Sequence, residues 1–393
     1  MHSLDEFATT KLGELQRGSL RRALVDTTRT PGIWVLRNGR RLLSFCCNDY
    51  LNLTHHPEVK EAAIAALRTY GVGAGASRLV SGNHPLLGEL EARLARLKEA
   101  EAAYVFGSGY LANLGIIPAL IGPGDLVLID ELAHACLWAG ARLARAAVVP
   151  FRHADVRHAQ ALLTELRQHH RNVLIATDGV FSMDGDIAPL HALAALAQRH
   201  DAWLMSDDAH GLGVVGGGRG SNFLGGRKAD VPLQMGTLSK ALGSYGGYVC
   251  ASAAVVDLIR NRARTVIYST GLPPAIVAAA IAALDVIERE PGYAALPLAK
   301  AKAFARLARL PEPVSPIVPV LLGEAGAALK ASRLLEDHGF LVVAIRPPTV
   351  PAGTARLRLT FTAQHPDDEI ERLAEVMRTR VLAHAPASFI QAQ

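Results

Sequence analysis

The chain has 393 residues, half of them apolar and a fifth charged, which is typical of soluble globular proteins with a large core. The formal net charge of +5 is spread along the chain, so nucleic-acid binding is not indicated. This small positive charge fits either electrostatic steering of a small polyanionic ligand or an arginine-rich composition that has no functional meaning. An acidic start, and no uncharged apolar run near the roughly 20 residues of a membrane span, predict a cytoplasmic protein without membrane contact.

Hydrophobic periodicity predicts a helix from the N-terminus to about Leu24, then a strand hairpin over residues 33–45 with Asn38 and Gly39 in the turn. Beyond the hairpin, short apolar runs alternate with helical stretches. This alternation favours a doubly wound, mostly parallel sheet, whose ligands collect at the carboxyl ends of the strands. The runs interpreted as strands cover residues 104–106, 126–130, 148–151, 173–177, 202–207 and 232–236.

A second, smaller α/β domain is predicted after the apolar helix at residues 275–288, because charge, glycine and proline in EREPGYAALP mark a change of domain. Its last helix is expected near residues 366–383. Its strands are expected at IVPVLL, FLVVAI and ARLRLTFT. The predicted parts of the chain are an N-terminal helix and hairpin segment (1–46), a large domain (47–288) and a small C-terminal domain (289–393).

Three chemically distinctive residues fall at the ends of two predicted strands: Asp207 and His210 in SDDAHG, and Lys240 in GTLSKAL. A lysine can form a Schiff base with the aldehyde of pyridoxal phosphate, and a carboxylate beside the pyridine nitrogen keeps the ring an electron acceptor. Each residue alone is weak evidence, since most lysines are merely exposed and DDAHG also fits a metal site or a solvated turn. Their combination predicts a pyridoxal phosphate enzyme.

Two glycine-rich segments are candidates for contact with a phosphate. In FGSGYLANLG, Gly107 and Gly109 precede an apolar helix whose exposed amides and dipole favour an anion. The segment GVGAGASRLVSGNH (71–84) fits either close approach to a ligand or an irregular loop. Neither has the GxGxxG fingerprint with a downstream acid, which counts against a nicotinamide dehydrogenase. His134, at a predicted helix start, fits either a helix cap or stacking on a planar cofactor ring.

Matching stretches span nearly the whole chain in one order: NDYLNL (48–53), ASRLVSGNH, FGSGYLAN, DELAHAC, TDGVFSMDGDIAPL (177–190), SDDAHGLGV, GTLSKALGSYGGY, IYSTGLPP (267–274) and IRPPTVPAGTARLRLT (345–360). In this order they resemble the α-oxoamine synthases, a branch of the fold type I pyridoxal phosphate enzymes. The resemblance implies an α/β transferase with a large, doubly wound, mostly parallel sheet domain that binds the cofactor and a smaller C-terminal α/β domain.

The resemblance also implies a role for each matching position around the cofactor. Lys240 holds pyridoxal phosphate, Asp207 pairs with its ring nitrogen, and His134 stacks over its face; with His210 these form the implied catalytic set. The phenolic oxygen side of the ring is implied to contact His210 and Ser182. Contacts to the phosphate are implied for Gly109, Tyr110, Thr237 and, from the neighbouring subunit of a homodimer, Ser269 and Thr270.

For the substrates, the resemblance implies that Asn48 and Arg358 bind an amino-acid carboxylate, with His134 nearby, and that Arg21 and Thr349 contact an acyl substrate. Arg356 shares a strand face with Arg358, so spacing alone does not choose between them, and the family's register favours Arg358. The stretch IRPPTVPAGTARLRLT most resembles the member that condenses L-alanine with a pimeloyl thioester of coenzyme A or acyl carrier protein, in biotin biosynthesis. Lys240 would then remove the alanine α-proton, and thiol and carbon dioxide would leave.

Other functions remain as alternatives. Sister α-oxoamine synthases make 5-aminolevulinate, 2-amino-3-oxobutyrate or 3-ketosphinganine, and an aminotransferase would share the lysine and the aspartate. A metal-dependent hydrolase built on Asp207, Asp208 and His210, or a scaffold protein, does not explain the ordered motifs. The cysteines also lack the paired spacing of a zinc site, so no metal is predicted; they are Cys46, Cys47, Cys136 and Cys250.

Two positions depart from the family pattern without removing a catalytic group. Asn52 stands in NDYLNL where the family usually has glycine, so either this position needs no positive φ or asparagine tolerates one. Asp178 stands in TDGVFSMDGD where many members have glutamate, which places a shorter acid beside the cofactor loop.

Overall fold

The computed structural model describes residues 2–384, and the chain divides into two compact units. One unit combines the N-terminal residues up to Cys47 with the residues from Leu298 onward, and the other is Asn48–Pro297. The sequence predicted an N-terminal segment ending at residue 46 and a separate C-terminal domain beginning at residue 289. In the structure, these two parts of the chain pack together in one unit. The large unit also keeps nine residues, 289–297, that composition assigns to the small domain.

The N-terminal part of the small unit contains helix α1 (Ser3–Arg17) and strands β1 (Thr27–Arg29), β2 (Trp34–Arg37) and β3 (Arg40–Ser44). The predicted hairpin is confirmed: β2 and β3 pair antiparallel, and the turn residues Asn38 and Gly39 have φ of 49° and 72°. Both residues tolerate this left-handed backbone, which is the reason that the pair marks a tight turn. The predicted helix is shorter than expected, because α1 ends at Arg17 and not near Leu24.

The large unit is built on a seven-stranded sheet with the order β4-β10-β9-β8-β7-β5-β6. Strands β5 to β9 pair in parallel, whereas β10 is antiparallel to both of its neighbours. Every strand predicted in this part of the chain is present, and β10 is additional. The strands are β4 (Ala102–Phe106), β5 (Leu126–Asp130), β6 (Ala147–Phe151), β7 (Val173–Asp178), β8 (Trp203–Asp207), β9 (Leu233–Thr237) and β10 (Gly247–Ala251).

Helices cover both faces of this sheet, as the alternating pattern predicts. They are α2 (Pro57–Tyr70), α3 (Pro85–Leu97), α4 (Gly109–Leu120), α5 (Ala135–Leu143), α6 (Val156–Leu166), α7 (Leu190–Arg199), α8 (Ala253–Arg262), α9 (Arg264–Ile267) and α10 (Pro274–Arg289). In β5, Val127 and Ile129 pack with α4, α5 and α8, whereas Leu126 and Leu128 pack with α6 and α7. Since successive strand residues point to opposite faces, a continuous apolar run is buried on both sides.

The C-terminal part of the small unit adds α11 (Leu296–Ala308), β11 (Ile317–Gly323), α12 (Ala325–Asp337), β12 (Phe340–Leu341), β13 (Val343–Ile345), β14 (Ala355–Thr360) and α13 (Asp367–Val376). Strand β12 pairs in parallel with β3, which explains why the two ends of the chain share one unit. A second sheet has the order β11-β14-β13. Among the described helices, none is long and apolar enough to cross a membrane.

Candidate active site

The carboxyl ends of three neighbouring strands of the large unit bring the central candidates to one sheet edge. Asp207 ends β8, in register with Asp178 at the end of β7, and Thr237 ends β9, three residues before Lys240. Ligands of open parallel sheets bind at this edge because the loops after the strands leave a crevice where the strand order reverses. The topology therefore groups residues that are far apart in sequence.

Asp207 is buried and held in one orientation from two sides. Its Oδ2 accepts a 2.7 Å hydrogen bond from Nδ2 of Asn113, in α4, and its Oδ1 accepts a 3.0 Å bond from the amide of Ala209. The thiol of Cys136 lies 3.9 Å from Oδ2. Sequence reasoning missed Asn113, although it lies in the quoted stretch FGSGYLAN, because the motif does not show which carboxylate its amide meets.

Asp208, the next residue, is directed into a separate and fully buried ion pair. Its carboxylate accepts a 3.1 Å bond from Nζ of Lys98 and further bonds from the amide and hydroxyl of Ser221. An acid neutralised in this way is not open to a metal ion. Among the described residues, no group of three or more His, Cys, Asp or Glu side chains is placed to hold a metal.

His210 is buried beside the NDYLNL stretch, whose Tyr50 has its Oη 2.8 Å from Nδ1 of the histidine. The NDYLNL motif alone predicts no role for Tyr50. Asn52, two residues later, has φ of 55° and ψ of 29°. Of the two alternatives for this position, the second is therefore observed: the backbone is left-handed, and asparagine tolerates it.

His134 caps helix α5, as one of its two interpretations predicts: its Nδ1 accepts a 3.3 Å bond from the amide of Cys136. A neutral ring whose Nδ1 accepts this bond carries its proton on Nε2. The pKa of His134 is below its ordinary value because surrounding protein atoms displace water; Asp207 opposes this effect and Lys240 adds to it. Stacking of this ring on a cofactor stays a prediction.

Asp178 interacts with both His134 and Asp207. The amide of His134 donates a 2.7 Å bond to Oδ2 of Asp178, and burial together with the negative charge of Asp207 raises the pKa of the Asp178 carboxyl well above its ordinary value. A proton on Asp178 reduces repulsion between two acids that end adjacent strands. The shorter acid at this position thus supports the segment that leads to His134.

A small cradle at the start of α4 fits a phosphate. Ser108 caps the helix by accepting a 3.2 Å bond from the amide of Leu111, and a Cβ on Gly109 would lie 3.4 Å from Oγ1 of Thr237. A Cβ on Gly247 would lie 2.5 Å from the oxygen of Ser108 and 2.6 Å from the amide nitrogen of Gly109. The absence of a side chain at Gly247 lets β10 pack closely against the backbone before α4, and the amides at a helix start attract anions. Tyr110, the next predicted contact, is about half exposed.

Lys240 lies in the loop between β9 and β10 and is partly buried. Its backbone oxygen accepts a 2.9 Å bond from the amide of Gly243. The charge of Lys240 lowers the pKa values of both His134 and Asp178. The ammonium group is therefore near enough to both residues to interact with them electrostatically.

The remaining cofactor candidates lie in two loops of the large unit. Ser182 follows β7 in a loop closed by a bridge between Val180 and Ile187. Thr270, beside Ser269, forms a bridge with Ser77 of the glycine-rich 71–84 segment. Within one chain, this segment and the residues after α9 therefore lie side by side.

The substrate candidates divide between the units: Asn48 and His134 belong to the large unit, and Arg21, Thr349 and Arg358 belong to the small one. Arg356 and Arg358 are both buried in β14, so burial does not choose between them. Arg21 and Thr349 line one cavity of about 360 Å³, together with Arg22 and Arg346. Nη2 of Arg22 donates a 3.2 Å bond to Oγ1 of Thr349.

The family model for class I and II aminotransferases matches residues 40–377. The 8-amino-7-oxononanoate synthase of Methylocella silvestris is 67% identical over 88% of this chain and 98% of its own length, and that of Beijerinckia indica is 58% identical over 98% and 100%.

Solved structures agree with this family. The serine palmitoyltransferase of Sphingomonas wittichii has a TM-score of 0.90 at 29% identity, covering 98% of this chain and 99% of its own. A variant of the S. paucimobilis enzyme with pyridoxal phosphate and myriocin bound has a TM-score of 0.89 at 28% identity, covering 98% and 99%. The 8-amino-7-oxononanoate synthase of Francisella tularensis has a TM-score of 0.73 at 27% identity, covering 87% and 98%.

These matches confirm the predicted fold type I transferase and its cofactor, pyridoxal phosphate, which the glycine-lined cradle fits. The chain therefore belongs to the class I and II aminotransferase family, among the α-oxoamine synthases and in the branch of the 8-amino-7-oxononanoate synthases.

Proposed function

We propose that this enzyme condenses L-alanine with a pimeloyl thioester to form 8-amino-7-oxononanoate, with release of the thiol and carbon dioxide. One observation carries the proposal: relatives named for this product are 58–67% identical over nearly the whole chain. The acid, the lysine and the cradle at one sheet edge are consistent with it. The reaction makes a carbon–carbon bond, so it requires a carbanion next to the alanine nitrogen.

Pyridoxal phosphate supplies the electron sink for that carbanion when it is bound. We propose that Lys240 is the attachment point and that its freed amine moves the α-proton of alanine. A lysine suits this task because its neutral amine accepts a proton and its ammonium form returns one. The hydrogen bond from the Gly243 amide to the backbone oxygen of Lys240 fixes the main chain from which the lysine side chain extends.

Asp207 is proposed to face the ring nitrogen and keep it protonated. The bonds from Asn113 and Ala209 leave the carboxylate little freedom to rotate. An acid held in this way needs no reorganisation when charge develops on the ring, which is the main source of electrostatic stabilisation in enzymes. His210, bonded to Tyr50, and Ser182 are proposed for the opposite, phenolic side of the ring.

Substrate contacts follow from residue chemistry. A guanidinium matches a carboxylate with two parallel hydrogen bonds, so we propose that Arg358 binds the alanine carboxylate, with Asn48 as a second donor. Arg21 and Thr349 are proposed for the acyl substrate, because the cavity that they line carries the positive charge of further arginines. The Nε2 proton of His134 is proposed to face the substrate.

We also propose a homodimer in which Ser269 and Thr270 reach the phosphate of the neighbouring subunit. The support is a group of exposed apolar side chains on the two segments that the Ser77–Thr270 bridge joins. These side chains are Val72, Leu79, Val80 and Tyr268.

A subunit-mixing experiment tests this arrangement. Neither Lys240→Ala nor the double variant Ser269→Ala/Thr270→Ala is expected to be active at limiting cofactor. Mixed under exchange conditions, they should regain up to about a quarter of the wild-type rate, because half of the dimers then contain one intact site. No regained activity in proven mixed dimers would mean that each subunit completes its own site.

The reaction itself is tested with purified protein, pyridoxal phosphate and pimeloyl thioesters of coenzyme A and of acyl carrier protein. Mass spectrometry should detect 8-amino-7-oxononanoate with L-alanine, and carboxyl-labelled alanine should release labelled carbon dioxide. Glycine and L-serine are the controls. A higher kcat/KM with either control would favour a sister synthase. Conversion of alanine to pyruvate, with transfer of the amino group to a 2-oxo acid acceptor and without use of thioester, would identify an aminotransferase.

A further inference from the structure

A histidine outside all of the predicted site residues links two loops beside the cofactor candidates. Nδ1 of His153, just after β6, lies 3.0 Å from Oδ1 of Asp130, and its Nε2 lies 2.7 Å from Oδ2 of Asp186. The side chain of Asp130 is buried, that of His153 is one quarter exposed, and that of Asp186 is 39% exposed. One imidazole therefore bridges two carboxylates.

Both ring nitrogens face acceptors, so the bridge is complete only when the imidazole carries two protons. Burial of the ring opposes its charge, but the hydrogen bonds to Asp130 and Asp186 outweigh burial and raise the pKa of His153 to about 10. The positive ring also compensates the charge of Asp130, which would otherwise be buried without a cation.

Each carboxylate belongs to a different loop. Asp130 ends β5 and accepts bonds from the amides of Leu132 (2.9 Å) and Ala154 (2.8 Å), which shapes the segment that reaches His134. Asp186 closes the loop that carries Ser182, through a 2.9 Å bond from the amide of Phe181 to its backbone oxygen.

The ring of Phe181 also packs edge-on against His153, with 4.4 Å between the ring centroids. The imidazole therefore contacts the Ser182 loop through one hydrogen bond and one ring contact.

We propose that His153 is a positioning residue that holds the Ser182 loop against the segment leading to His134, so that both side chains are in place before the cofactor binds. The inference rests on the proposed contacts of Ser182 and His134 with pyridoxal phosphate. It extends them to a residue that does not itself touch the cofactor. Because rigid elements that are placed in advance lower the cost of binding, loss of this link weakens cofactor binding.

The most direct test removes the contact between the Ser182 loop and His153 and keeps the contact between His153 and Asp130. Asp186→Ala removes the partner of Nε2, whereas Asp186→Asn keeps an oxygen that can accept the bond; both leave the His153–Asp130 contact in place. His153→Gln is a further variant, and His169→Gln, at an exposed position of the same unit, is the control. The full-length protein is freed of cofactor and titrated with pyridoxal phosphate, and binding is followed by the visible absorption band.

Asp186→Ala is expected to raise the Kd for pyridoxal phosphate by about tenfold or more, as for loss of one charge-assisted hydrogen bond, and to shift the absorption maximum of the bound cofactor. Asp186→Asn should recover most of the affinity, and His169→Gln should match the wild type. A lower melting temperature of Asp186→Ala with unchanged Kd and absorption maximum would overturn the proposal, because the bridge would then be structural only. A failure of the proposed acyl chemistry is distinguishable, since it would appear in product formation and leave wild-type cofactor binding intact.

Discussion

The amide of Asn113, in the second turn of α4, donates a 2.7 Å hydrogen bond to Oδ2 of Asp207, 94 residues later in the chain. The helix whose first turn forms the phosphate cradle thus also orients the acid proposed for the ring nitrogen. One rigid element thus links the two proposed contacts of the cofactor, with its phosphate and with its ring nitrogen. Such placement on a helix is more accurate than placement on loops.

We expect Asn113→Ala to lower kcat by about 10- to 100-fold, the equivalent of one hydrogen bond to a charged group, with cofactor still bound. Asn113→Asp should be more harmful, because it places a second negative charge against Asp207. Steady-state kinetics at saturating pyridoxal phosphate measures both effects. Equal kcat values for wild type and Asn113→Ala would show that the other contacts of Asp207 are sufficient.

Lys240→Ala should abolish covalent attachment of the cofactor and lower the rate by at least the roughly 10²- to 10⁴-fold that a positioned proton-transfer group contributes. Borohydride treatment of the protein with pyridoxal phosphate, followed by intact mass spectrometry, measures the attachment. Wild type and the control Lys60→Ala, an exposed lysine of α2, should both gain the mass of one cofactor. A covalent adduct of the same yield in Lys240→Ala would place the attachment on another lysine.

Gly247→Ala should weaken cofactor binding, because the added methyl would lie within 2.6 Å of two backbone atoms, the Ser108 oxygen and the Gly109 nitrogen. Backbone cannot yield as a side chain can, and such overpacking typically costs about 1–3 kcal/mol. Gly292→Ala is the matched control, since its Cβ would meet nothing within 4 Å. Titration with pyridoxal phosphate compares the two, and the same Kd for both variants would contradict a tight cradle.

Acid should destabilise the small unit through His365. Its Nδ1 accepts a 2.9 Å bond from the amide of Thr362, its Nε2 lies 3.0 Å from the oxygen of Ser44, and its ring stacks on Phe45 at 4.0 Å. Burial is the largest effect and lowers its pKa from 6.5 to about 4. Below pH 6.5 this histidine therefore binds a proton in the unfolded chain but stays neutral in the folded protein. The free energy of unfolding consequently falls as the pH approaches 4.

Between pH 7 and pH 5 this uptake of a proton should lower the free energy of unfolding of the wild type by about 2 kcal/mol. Urea unfolding of wild type and His365→Gln at both pH values measures it. The variant is less stable at pH 7, since it loses the ring stack, but it should lose about 2 kcal/mol less than the wild type on acidification. Parallel losses in the two proteins would mean that other groups cause the acid sensitivity.

Local patterns predicted much of the fold. The Asn38–Gly39 turn and the apolar runs that became β4 to β9 depend on residues that are neighbours in sequence, and their periodicity records which face is buried. Strand β10 escaped prediction because GYVCA is a short run inside a glycine-rich segment. Its antiparallel position between β4 and β9 depends on partners that are distant in the chain.

For the site, the sequence alone determined the class of chemistry, because Asp207, Lys240 and the glycines before α4 occur in motifs whose residue types suit pyridoxal phosphate. Only the tertiary structure decided which side chains support them: Asn113 against Asp207, Tyr50 against His210, and His153 between Asp130 and Asp186. It also joined the two ends of the chain through the pairing of β12 with β3. The physical reason is that motif chemistry is carried by adjacent residues, whereas these contacts depend on the tertiary packing, which brings together residues as far apart in sequence as Leu43 and Phe340.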